Sequence, residues 1–142
     1  MTKWYEEKAM QQQLERQRAQ VLGDRAAEFW ERARSAIEAE ANGIRRHLLP
    51  ELEVGVISKN QISVKKVVSP GVFINVTFEE SVPSVRVEWN LEEKAAASVE
   101  TLTFVWTHAD DLLLKYHDQL MNAEAVADFA LRPLRQQILA EE

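Results

Sequence analysis

The chain has 142 residues, a formal net charge of -6 and a pI near 5.2, with 46% hydrophobic and 28% charged residues. That balance reads as one globular domain with its own core, and the acidic surplus argues against a nucleic-acid or anionic-membrane partner, which needs a basic surface. Cysteine is absent, which removes disulfide frameworks, thiolate metal sites and cysteine nucleophiles without assigning a compartment.

The first residues, Met1 to Lys8, contain no apolar core of a signal peptide. No apolar run approaches the roughly 20 residues needed to cross a bilayer. A soluble, cytoplasmic protein is the expectation. Residues 1–23 read as a polar helical arm, with Gln11, Gln12 and Gln13 in a row and a thin, gapped stripe of Met10, Leu14, Val21 and Leu22. Such a helix has to lean on something. Gly23 and Asp24 read as its stop and the next N-cap, so the arm is expected either frayed or ordered against a partner.

Residues 24–142 then form a single α+β domain. Its strongest helix spans Arg25–Leu49, where Ala26, Trp30, Ala33, Ile37, Ala41, Ile44 and Leu48 recur every three or four positions and Phe29 widens the stripe. Asn42-Gly43 offers an early stop and Pro50 sets the limit, so the end falls between Asn42 and Leu49.

From Glu51 the period changes to two. Leu52–Ile57 and Ile62–Val68 read as strands around a turn at Ser58–Gln61. Ser69-Pro70-Gly71 is the next turn, with competing registers; one of them sets Val64 opposite Ile74. Val72–Glu80 alternates most cleanly. A turn at Ser81–Pro83 then pairs Phe78 with Val85 and brings Ile74 opposite Trp89. The Ala-rich stretch from Glu92 to Val99 reads as a loop or as an early part of the following strand. Thr101–His117 is expected to form a hairpin pairing Phe104 with Tyr116, Trp106 with Leu114 and His108 with Leu112 around a three-residue loop.

Asn122 caps a last helix along Val126, Ala130, Leu134 and Ile138, which Pro133 should kink near Phe129–Leu131. The expected fold is thus an N-terminal helix, an antiparallel β-meander of about six strands and a C-terminal helix, with both helices on one face of the sheet.

No motif carries chemistry. The four glycines, Gly23, Gly43, Gly55 and Gly71, make no phosphate loop or dinucleotide fingerprint. His108, Asp110, Asp111, His117 and Asp118 lie close in sequence, but the parity of the hairpin sends His108 and His117 to opposite faces, and turn chemistry accounts for the aspartates. No catalytic residue, metal site or cofactor is expected.

Two readings remain. The first is an interaction or structural module that self-associates, or meets another protein, through the Lys3–Leu22 arm or through Val67, Phe73, Val105 and Leu113 on the outer sheet face. The second is a small apolar-ligand carrier, with an enzyme grown from one as its less supported form, and a pocket between sheet and helices lined by Trp30, Trp89, Phe104, Trp106 and Tyr116. Packing of these aromatics into a core is the simpler account of them.

Overall fold

The computed structural model of the chain describes residues 3–94 and 96–140. A long helix, α1 (Trp4–His47), leads into β1 (Glu53–Ser58), β2 (Gln61–Lys66), β3 (Val72–Glu79) and β4 (Ser84–Leu91). β5 (Ser98–Trp106), β6 (Leu112–Tyr116) and β7 (Gln119–Met121) follow, and α2 (Ala123–Ala130) and α3 (Arg132–Ala140) close the described chain. The seven strands form one antiparallel sheet in simple chain order. The α+β layout is as expected, with one strand more.

Alternation decides which face is covered. Ile62 and Val64, Ile74, Val76 and Phe78, Val85 and Val87, Leu102, and Leu112 and Leu114 are all buried on one side. Against them α1 sets Ala26, Phe29, Trp30, Ala33, Ile37 and Ala41, and the C-terminal helices set Val126, Phe129, Leu131 and Leu134. Each fully buried Leu, Ile, Val or Phe contributes about 1.5–3 kcal/mol relative to exposure. Alanines line both sides of the α1–α2 contact, Ala33 and Ala41 on one helix and Ala123, Ala127 and Ala130 on the other. Their small side chains let the two backbones approach closely.

The sheet registers read from the alternation hold at the centre: Val64 faces Ile74, Ile74 faces Trp89, and Phe78 faces Val85. The β5–β6 hairpin is displaced by two residues from expectation, pairing Phe104 with Leu114 and Trp106 with Leu112. Thr107 is the reason. Its Oγ1 accepts from the backbone N–H of Ala109 at 3.3 Å and of Asp111 at 3.2 Å, while its own N–H donates to the Asp111 carbonyl at 2.8 Å. Asp110 takes the left-handed conformation, at φ 59°. The loop is therefore Thr107–Asp111, and His108 sits in it instead of opposite Leu112. A shift of two preserves the faces, so Leu114 still points inward.

β7 escaped the sequence reading because it has only three residues. It returns through a two-residue turn, His117-Asp118, with His117 at φ 52° and Tyr116 paired to Gln119. His117 thus lies in a turn and not beside Lys115 on a strand face. Between β4 and β5 the chain makes a turn at Glu92–Lys94, and β5 starts early, at Ser98; Ala95 lies outside the described residues.

The helices differ from expectation in two places. α1 does not stop at Gly23 but runs through it, and Asp24 is a helical residue and not a cap. One glycine costs only about 1 kcal/mol in a helix interior, which does not outweigh propagation from the buried turns beyond it. At the other end α1 finishes at His47, inside the expected window. Near Pro133 the expected kink is a full break: Leu131, at φ -92° and ψ 6°, separates α2 from α3. Proline has no N–H for the Phe129 carbonyl, and the indole Nε1 of Trp89 donates to the neighbouring Ala130 carbonyl at 2.8 Å. Asn122 caps α2 as read, its Oδ1 accepting from Ala125 N–H at 2.8 Å.

Trp106 stands apart from the core it was expected to join. It shares the inner face with Phe104 but lies at the loop end of the hairpin, 44% exposed. Trp106→Ala should therefore cost at most about 1 kcal/mol, whereas Phe104→Ala, inside the ring cluster, should cost about 3–5 kcal/mol. Urea denaturation of both variants checks this; equal losses would contradict the placement of Trp106.

Candidate functional site

The aromatic residues suggested as a ligand pocket fall into separate groups. Trp30 stacks on Phe78 at 5.9 Å between ring centroids, and Phe104 meets Phe29 at 5.4 Å and Phe78 at 6.3 Å, edge to face. At the other group, Phe129 packs on Trp89 at 5.2 Å and on Tyr116 at 4.9 Å. The indoles of buried Trp30 and partly buried Trp89 are both satisfied by backbone: Trp89 at Ala130, and Trp30 at the Lys59 carbonyl, 2.8 Å away. Five surface cavities each take at most one of the five candidates, Trp106 in one and Trp30 in another.

On the outer sheet face, Phe73 pairs with Lys65 and Asn90, while Val105 pairs with Leu113 two strands further on. Between them lie Asn75, Thr77, Arg86, Glu88, Thr101 and Thr103. Val67 lies past the end of β2 and is exposed. These four side chains do not join into one apolar patch.

Several titratable groups have structural partners. Lys66, almost fully buried, donates to Gln137 Oε1 at 3.0 Å. Glu92 accepts from the Gly71 backbone N–H and from Ser69 Oγ, and these bonds, the backbone one foremost, hold its carboxyl below the ordinary range. This joins the β2–β3 loop to the β4–β5 loop. Burial, followed by the hydrogen-bonded Glu100 carboxylate, raises Tyr116. Among the described residues no three His, Asp or Glu side chains converge as a metal site.

One surface is left over by the packing. The first buried residue of α1 is Ala26; the helix before it projects from the body, with Trp4 78%, Met10 62%, Leu14 51% and Val21 50% exposed. Where the projection leaves the body, Leu14, Val21 and Arg25 on one helix face and Trp106 and Asp110 on the hairpin tip enclose an open groove of about 540 Å³. The Arg25 guanidinium lies 5.7 Å from the centroid of the Trp106 ring, within cation–π range. Gln17 and Arg18 complete the helix side. The sequence reading had the arm and Trp106 as separate features. The spacing of Met10, Leu14 and Val21 was the visible signal; the meeting of that stripe with the hairpin tip depends on α1 being continuous.

Comparison of the chain with protein-family models, with curated proteins and with solved structures found no match. Among the described residues no helix is long and apolar enough to cross a membrane.

A carboxyl pair across the α1–α2 contact sets a pH dependence. Burial, then the charge of and hydrogen bond to Asp128, raise Glu40 above the usual range, with Arg135 opposing. With its folded value above its unfolded one, Glu40 makes the native state hold more protons, so stability falls as pH rises through that window. Glu40→Gln should remove this loss and leave the protein more stable at neutral pH, with no gain in acid below the unfolded carboxyl value. Thermal melts across pH check the sign; a neutral-pH loss in the variant would contradict it.

Proposed function

We propose that the protein is a non-enzymatic interaction module that self-associates, and that the projecting half of α1 is its contact surface. The observation that supports this best is the run from Trp4 to Arg25, which is helical yet contains no buried residue. A polar helix of this length is marginal in water by itself. Its apolar residues nevertheless share a stripe and open onto a groove with a half-exposed tryptophan, an arrangement that gains from a partner helix. The proposal places the protein in the cytoplasm as a homo-oligomer, with a further protein as the alternative partner. Its net charge of -6 fits a partner other than nucleic acid or membrane.

The outer sheet face is the weaker contact surface, because its apolar side chains are scattered among polar ones. A ligand-carrier role draws no comparable support, since the indoles of Trp30 and Trp89 already bond to the backbone.

Sedimentation velocity tests the reading. The full chain should run as a dimer at micromolar concentration, and removal of residues 1–22 should yield a monomer that still unfolds in one cooperative step. Phe73→Asp separates the two surfaces, since it leaves an arm dimer intact and dissolves a sheet-face dimer. A full-length chain that stays monomeric at high concentration contradicts self-association.

A further inference from the structure

The charges along the arm are unevenly divided. In residues 4–15, Glu6, Glu7 and Glu15 outnumber Lys8 and leave a surplus of negative charge; in residues 16–27, Arg16, Arg18 and Arg25 outnumber Asp24 and leave an equal surplus of positive charge. A parallel pair of arms would set acid on acid and base on base. Two antiparallel arms set each half against its opposite.

We propose that the groove beside the arm is occupied by the arm of a second copy of this chain, antiparallel, with the two-fold axis passing between Glu15 and Arg16. This rests on the self-association reading and fixes its geometry. The helix positions 7, 14, 21 and 28 and the positions 3, 10, 17 and 24 form a seam with the seven-residue spacing of paired helices. About that axis Met10 packs on Val21 of the second copy, Leu14 on Gln17, and Lys3 meets Glu28. Gln17, the polar residue in the central layers, favours one register over its neighbours. Glu7 faces Asp24 of the second copy, the one like-charged layer, and both are exposed to water.

The axis also brings Trp4 of one copy alongside Arg25 of the other. Arg25 already lies over the Trp106 ring at 5.7 Å. Its guanidinium thereby gains a second indole, and Trp4, at 78% exposed, gains a partner. The occupant of the groove is then the first turns of the second copy's α1, and each copy supplies one groove and fills one. That is the closed, two-fold arrangement expected of a symmetric dimer.

The chain has no cysteine, so single-cysteine variants report geometry cleanly. Gln11→Cys and Arg18→Cys flank the seam and keep its apolar residues. In the proposed pair Gln11 lies beside Arg18 of the second copy, whereas like positions are offset by about 8 Å or more along the axis, at 1.5 Å per residue. An equimolar mixture of the two variants, treated with a short bismaleimide, should give the 11–18 cross-link in large excess over 11–11 and 18–18, read by peptide mass spectrometry. A dimer that gives mainly 11–11 and 18–18 products overturns the antiparallel proposal and leaves self-association standing. A chain that sediments as a monomer and yields no cross-link overturns both.

Discussion

The length of α1 is the constraint on which the rest of the structure turns. Its 44 residues span about 66 Å at 1.5 Å per residue. The sheet offers much less: strands of eight residues reach about 27 Å, and seven strands spaced about 4.8 Å apart measure some 29 Å across. Even along its diagonal the sheet cannot cover the helix. The buried positions of α1, from Ala26 to Ala41, occupy about 23 Å of it. Just beyond these ends Leu22 and Ile44 still lie against the core, and the helix before Leu22 either stands in water or meets another molecule. Because Gly23 does not end the helix, the overhang continues the core helix and points where the core sends it.

Within the body, polar contacts at a few backbone carbonyls hold the layers together. Trp30 on α1 donates to the Lys59 carbonyl in the β1–β2 turn, and Arg34 Nη1 adds a second bond there at 3.0 Å. Trp89 on β4 donates to Ala130 at the end of α2. In both cases a large apolar ring fills the core while its one polar atom satisfies a carbonyl that regular structure leaves without a partner. The alanine contact between α1 and α2 sets their separation, and the break at Leu131 lets α3 change direction and bring Leu134 into the core. Glu40 sits at this same contact beside Asp128, which is why its titration bears on stability.

The parts of the fold legible in the sequence are those where burial is one-sided and continuous. Val72 to Glu79 and Val85 to Leu91 alternate without interruption, so their register followed from matching apolar faces, and Asn122 was plain as a cap. The β5–β6 register was not legible because a shift of two leaves every face unchanged; the choice rests with Thr107 and Asp110 inside the loop. β7 carries one buried residue, Met121, too few to show a period. Gly23-Asp24 looks like a boundary by local preference, but the helix on its C-terminal side is anchored in the core and extends through it. Parity alone sends Trp106 into the core, since distance from the end of a hairpin is invisible in alternation. For the same reason its meeting with Arg25 and the arm emerged only in three dimensions.

The central claim is that the overhang of α1 is ordered by contact with another copy, and amide hydrogen exchange across Lys8–Val21 measures it most directly as protein concentration is varied. The account predicts exchange that slows as concentration rises, until these amides approach the protection of Ala33–Ala41. Fast exchange at every concentration, with the core amides protected throughout, would contradict it.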